Sequence, residues 1–254
     1  MTQTALRQAP GPQEKQTIRD AYGVIRSFGA WRSDKSPDVP HDRVLPFATY
    51  SPWLNDEAFM RVHHAMREHT LVDLYRCYEL WTLGSQMAAV PGAFLEVGVW
   101  RGGTGALLAA AAAQAPDKTV FLADTFTGVV KAGAQDTAYV GGEHADTSVE
   151  IVQGLLNRMG LANASLLQGI FPDDTGSRID GPIALLHCDV DVYSSARDVV
   201  QWTLPRLSRG GAIVFDDYGF LGCEGVTRYV NELRQDRSLV FVHNLNGHAL
   251  FIKK

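Results

Sequence analysis

Four aspartates stand where chemistry could be done: Asp189 and Asp191 in CDVDVYS (188–194), and Asp216 and Asp217 ending GGAIVFDD. Each pair follows an apolar run that reads as a buried strand. In an extended chain residues i and i+2 face the same way, so Asp189 and Asp191 are expected to share one face. Like charges this close repel and raise one another's pKa unless a cation lies among them. Asp189, Asp216 and Asp217 can offer three oxygens to one hard cation. Mg²⁺ suits that set, since it takes octahedral oxygen coordination and keeps waters that a substrate can displace. Asp191 is then the candidate base, because a hydroxyl beside a dication is acidified and a nearby carboxylate can take its proton. Asp216 or Asp217 could instead cap the following turn, and Asp191 the helix from about Ser194, but capping does not account for four carboxylates together. His187, His243 and His248 argue little for zinc, since the first precedes the strand tip and the others sit in a terminal hairpin.

A second constellation lies upstream. FLEVGVWRGGTGALL places Glu96, Gly98, Arg101, Gly102, Gly103 and Gly105 in a strand-to-helix turn. Glycines there let the backbone take positive φ and approach a ligand closely. A dinucleotide fingerprint would read GxGxxG and hold a pyrophosphate at the helix start, whereas here a carboxylate sits inside the strand end. Glu96 would repel a pyrophosphate and could pair with an ammonium. Asp124, ending the next strand, falls where such folds put the acid that holds a ribose. A packing turn and a helix cap would explain either feature alone. Together they favour an adenosine-containing cofactor with an amino acid head, S-adenosylmethionine.

The elements that must carry these residues alternate. GAFLEV, KTVFLADTF, ASLLQGIF, PIALLHCDV and GGAIVFDD read as strands. TGALLAAAAAQA, TSVEIVQGLLNRMGL, SARDVVQWTLPRL and CEGVTRYVNELRQD read as helices, the second opened by a Thr147/Glu150 capping box. SLVFVHNLNGHALFIKK closes as a hairpin turning at Asn246-Gly247. The expected fold is therefore α/β and Rossmann-like: a mostly parallel sheet with helices on both faces and an antiparallel strand from the hairpin. Ligands in such sheets lie beyond the carboxyl ends of the strands, where both aspartate pairs fall. Residues 129–146 show no period and read as a long loop, with Tyr139 and His144 candidates to touch an acceptor. Residues 56–89 are rich in helix formers, with Leu71, Leu74, Tyr75 and Tyr78 at helical spacing and His63, His64 and His69 along the same run. Residues 1–15 read as a mobile tail and 16–55 as short elements and loops. The domain reading is an extension over 1–55 and a catalytic domain over 56–254. Trp31, Phe47, Tyr50 and Trp53 cluster in the irregular stretch and could face a ring-bearing ligand or simply pack under loops.

Bulk properties exclude several classes. The 254 residues are 46% hydrophobic and 20% charged, with a net charge of −5 and a pI near 5.9. No Lys/Arg cluster stands out, which argues against a nucleic-acid partner. No apolar run is long enough for a membrane span. Cys77, Cys188 and Cys223 form no CxxC pair and are odd in number, as expected of reduced thiols in a cytoplasmic protein.

FLEVGVWRGG, ADTFTG, HCDVDVYSS and GGAIVFDDYGFLGCEGV resemble the macrocin and mycinamicin type of sugar O-methyltransferase over roughly residues 70–254. That resemblance implies that Asp189, Asp216 and Asp217 bind Mg²⁺, Asp189 also bordering the donor, and that Asp191 is the general base. It implies that Glu96, Gly98, Arg101 and Gly102 border the methionine part of S-adenosylmethionine, with Asp124 on the ribose and Gln168 near the adenine. Val190 stands where the family's DGDxY element usually has glycine, and its side chain is expected to point away from the metal. The implied acceptor is a sugar hydroxyl on a glycosylated small molecule of antibiotic biosynthesis, and the implied assembly a homodimer or larger homo-oligomer, with residues 1–55 serving as lid and in oligomerisation. The rival readings are a catechol-type O-methyltransferase acting on an aromatic diol and a non-catalytic cofactor-binding protein.

Overall fold

The structure, a computed structural model, describes residues 9–45, 48–115 and 117–254. Most of the expected N-terminal tail, and Phe47, lie outside them. Chain contacts divide the protein into two compact units, residues 1–49 and 50–254.

The first unit holds helix α1 (Pro12–Ser27) and a small antiparallel pair, β1 (Trp31–Ser33) with β2 (Ser36–His41). A 16-residue helix here departs from the expectation of short elements. Pro12 starts it, and Glu14 reaches back to accept from the Gly11 N–H. It buries no residue, although Ile18, Ala21, Tyr22 and Ile25 fall at helical spacing. Trp31 stacks on His41, and the Arg43 guanidinium covers the same indole.

The second unit opens with α2 (Glu57–Met66) and α3 (Leu74–Met87). The helix-rich run thus divides in two. Asp73 caps α3 by accepting from Tyr75 and Arg76 N–H, which leaves Leu71 between the helices and His69 at the end of a short 3-10 turn (Arg67–His69). Trp53 packs edge-on against Tyr75 and Tyr78, whereas Tyr50 is exposed.

Seven strands follow: β3 (Ala93–Val97), β4 (Val120–Asp124), β5 (Ala164–Gln168), β6 (Ile183–Cys188), β7 (Leu207–Phe215), β8 (Leu239–His243) and β9 (Ala249–Lys253). They form one sheet in the order β5-β4-β3-β6-β7-β9-β8, with β9 running antiparallel between β7 and β8. Alternation along β3 divides the core: Phe94 faces the layer with α3, α4 (Gly103–Ala112) and α5 (Val149–Met159), while Leu95 and Val97 face α6 (Tyr193–Thr203) and α7 (Glu224–Leu233). Helix α5 is capped by Ser148, which accepts from Ile151 N–H, and not by Thr147, whose hydroxyl donates to the Trp100 carbonyl. Residues 129–146 carry no helix or strand, as expected. Among the described residues no helix is long and apolar enough to cross a membrane.

Candidate active site

Register brings the carboxylates together. On β6, His187 pairs with Glu96 of β3, and Cys188 lies opposite Phe215 of β7. One residue further on, Asp189 N–H donates to Val97 O (2.9 Å) and Asp216 N–H to Cys188 O (3.1 Å), so the two strand tips stay side by side. Carboxylate oxygens of Asp189, Asp216 and Asp217 lie within 4.8 Å of one another. Asp191 arrives by a different route from the one strand alternation suggests. The strand ends at Cys188 and Asp191 adopts left-handed φ +62°, with its N–H donating to Asp217 Oδ2 at 3.0 Å. Nor does Asp191 cap α6. The Asp136 carboxylate, from the long loop, accepts the Tyr193 N–H instead.

Gly98 makes this convergence possible. Its φ is +88°, and a Cβ there would fall 1.6 Å from the Asp189 carbonyl oxygen. Gly98→Ala is therefore expected to lose about 3 kcal/mol or more of stability, a melting-temperature drop of roughly 6–12 °C. Gly160, also at positive φ but with open space around it, serves as the control: Gly160→Ala should cost only the backbone strain, about 1 kcal/mol. Equal drops in a thermal melt would refute the steric account.

A cavity of ≈ 360 Å³ runs over these strand ends. Gly98, Trp100 and Asp124 line it together with all four aspartates of the two strand tips. Tyr139, His144, Phe220 and Leu221 form the outer wall. Tyr139 hydrogen-bonds Asp191, and burial together with that carboxylate pushes the phenol far above its usual range. Cys223 Sγ lies 3.9 Å from Asp191 Oδ1.

The carboxylates differ sharply in their surroundings. Burial, reinforced by the neighbouring carboxylates, pushes Asp189 and Asp217 well above the usual range. Burial also raises Asp191, against the opposing hydrogen bond from Tyr139 and the charge of His144. Asp216 goes the other way. Burial alone would raise it, but the nearby His187 imidazole, the hydrogen bond from His248 and the Arg76 charge outweigh that and hold it far below the ordinary value. His248 Nε2 is 2.9 Å from Asp216 Oδ1, Arg76 donates to Oδ2, and His187 Nε2 lies 3.8 Å away. Behind them, Glu79 contacts His248 Nδ1 (3.2 Å) and accepts from Asn244 and Asn246. Sequence reading had not assigned Arg76, Glu79, His187 or His248 to the site. Only His187, two residues before Asp189 on one strand, carried a periodic signal.

Several sequence-based placements need correction. Glu96 is fully buried and does not reach the cavity; Oε1 meets His187 Nδ1 at 2.8 Å, and Oε2 lies under Gly105 of α4. Strand parity sets this, since Glu96 shares the Phe94 face and not that of Leu95 and Val97. Arg101 also lies outside the cavity lining and pairs with Asp146. Gly102, at φ +87°, caps α4 where a Cβ would strike Val152. Gln168 is exposed at the end of β5, and its neighbour Gly169 lines the cavity in its place. Asp124 does line it. Its Oδ2 accepts from Val99 and Trp100 N–H at 2.7 and 2.8 Å, so it also holds the glycine turn in shape. Val190 packs against the α6–α7 core layer with its backbone at the cavity edge.

A sheet of this order, with its one reversed strand and a ligand-sized cavity over the strand tips, is that of the Rossmann-like class I methyltransferases. The chain belongs to the macrocin O-methyltransferase (TylF) family, whose model matches residues 66–254. It is 34% identical over 169 residues to a tetracenomycin-type rhamnosyl 4′-O-methyltransferase of Streptomyces olivaceus, covering 61% of this chain and 64% of that protein. It is 33% identical over 178 residues to mycinamicin III 3″-O-methyltransferase of Micromonospora griseorubida, covering 63% and 70%. The chain thus spans just under two thirds of the first relative's length. Among solved structures, the O-methyltransferase NovP superposes with a TM-score of 0.64 at 26% identity, over 73% of this chain and 82% of that one. The calicheamicin methyltransferase CalS11, at 17% identity and TM-score 0.61, shares the fold.

Proposed function

We propose that this protein is an S-adenosylmethionine-dependent, Mg²⁺-dependent O-methyltransferase acting on a sugar hydroxyl of a glycosylated natural product. The observation that carries the reading is the approach of three carboxylates to within 4.8 Å in a cavity that the glycine turn also lines. The donor set fits a hard dication. Asp189 is half-buried, Asp217 buried, and the two repel each other, so a cation among them removes the conflict that raises both. Asp189, Asp216 and Asp217 would hold the metal, with Arg76 and His248 fixing Asp216. Gly98 and Asp124 would border the donor. The rhamnosyl 4′-O-methylation named for the Streptomyces olivaceus relative and the O-methylation of mycinamicin III support the acceptor class, and a homodimer or larger assembly is part of the same proposal.

The donor supplies a methyl on positively charged sulfur, and a dication supplies the charge that makes a sugar hydroxyl acidic. The chain's own residues do the rest. Asp191 takes the hydroxyl proton on a carboxylate oxygen, and the Tyr139 hydroxyl keeps that carboxylate oriented. Val129, Phe220 and Leu221 exclude water while charge on sulfur disperses. Holding both reactants over rigid strand tips contributes the larger share of the acceleration.

Calorimetric titration of S-adenosylmethionine into metal-stripped protein, followed by Mg²⁺ and a panel of glycosides and catechols, tests this. Saturable donor binding with glycoside turnover only after Mg²⁺ is expected. Absence of donor binding would sink the reading, and turnover of catechols alone would reassign the acceptor.

A further inference from the structure

Two segments that line the cavity, the glycine turn and the long loop, are also joined outside it. Trp100 and Arg101 belong to the glycine turn, and Asp146 ends the long loop that carries Tyr139 and His144. Arg101 Nη2 is 2.8 Å from Asp146 Oδ2, Arg101 Nε donates to the Asp146 carbonyl (3.0 Å), and Trp100 Nε1 donates to Asp146 Oδ1 (2.8 Å). The guanidinium lies 4.9 Å from the Trp100 ring centroid, and Thr147 donates to the Trp100 carbonyl. Both oxygens of one carboxylate are therefore held by adjacent residues of the turn, and the indole and the guanidinium keep its pKa below the usual range. An exposed ion pair alone contributes little, but a fork of three donors on one residue is a geometric constraint.

At its other end the loop is fastened independently. Lys131 bridges Asp173 and Asp198, each at 2.8 Å, Asp136 accepts the Tyr193 N–H, and Thr137 bonds the buried Glu224. Between these anchors residues 138–145 turn through Gly141 and Gly142, both at positive φ, and carry Tyr139 and His144 into the cavity. Trp100 also reaches the donor end through its backbone, since its N–H donates to Asp124 Oδ2.

We propose that Trp100, Arg101 and Asp146 form a strap that positions Tyr139 and His144 over Asp191, coupling the shape of the donor turn to the acceptor wall. This rests on the proposed reading, in which the turn faces the donor and the loop the acceptor. Arg101 is then a positioning residue and not a donor contact. A ligand that orders the turn orders the loop, and by reciprocity a fastened loop favours the donor-ready turn.

Hydrogen–deuterium exchange of the full chain, with and without S-adenosylhomocysteine, tests the strap in peptides spanning 137–147. Arg101→Ala and Asp146→Asn should each speed exchange there about tenfold and abolish its slowing by S-adenosylhomocysteine, while the ligand's Kd shifts less than about threefold. Unchanged exchange in both variants would overturn the proposal. So would a Kd weakened more than about tenfold in Arg101→Ala with exchange unaltered, which would make Arg101 a ligand contact. Failure of S-adenosylhomocysteine to bind the wild type would instead sink the donor assignment, and the exchange of ligand-free variants would still report on the strap.

Discussion

Asp191→Asn should bind donor and metal as the wild type does yet lose roughly 10²–10⁴-fold in kcat, the usual contribution of a positioned general base. The amide cannot take a proton, but it matches the carboxylate in shape and keeps the backbone N–H that meets Asp217 Oδ2. Burial is what makes Asp191 basic enough for the task, while Tyr139 limits the shift and orients the group. Calorimetry with S-adenosylmethionine and initial rates on the best glycoside of the panel separate the two effects. A variant retaining more than about a tenth of wild-type turnover would remove Asp191 from the role.

Asp189→Asn should move function and stability in opposite directions. Asp189 is held well above its ordinary pKa, so the metal-free folded state binds protons more readily there than the unfolded chain. The sign follows from linkage: the ionised group costs stability, increasingly as pH rises from the normal carboxylate range toward the raised value. The asparagine removes that cost. Metal-free Asp189→Asn should therefore melt at least about 2–4 °C higher than metal-free wild type, the shift given by ~1 kcal/mol in a domain of this size. Mg²⁺ should then stabilise the wild type, by about 2.7 kcal/mol at a hundredfold excess over Kd, and leave the variant almost unmoved. Turnover should fall to the metal-free level. Equal stabilisation of both proteins by Mg²⁺ would place the cation elsewhere.

The strand ends were legible because each aspartate pair follows an apolar, β-branched run with turn residues after it, and strand tips in this architecture face ligands. Local signals also located the helices that bury a face. Helix α1 carries a readable stripe, Ile18, Ala21, Tyr22 and Ile25, that the Pro-, Ser- and Asp-rich text after it obscures, and the break before α3 hinges on a single cap, Asp73. Within the site, residues whose partners are remote misled. Arg101 finds Asp146, and Arg76 finds Asp216, across separations that no periodicity encodes. Glu96 was the avoidable error, since alternation with Leu95 and Val97 turns it away from their face.

The insertion of β9 between β7 and β8 has a consequence for assembly of the chain. Until the β8–β9 hairpin docks, the Ala212–Phe215 stretch of β7 is an open edge with unpaired backbone groups and apolar side chains, a template for another chain's strand. The same docking brings His248, the residue just before β9, onto Asp216. Closing that sticky edge and completing the hydrogen bonding of a buried carboxylate are thus one cooperative event, and a chain caught before it is at once catalytically incomplete and prone to aggregate.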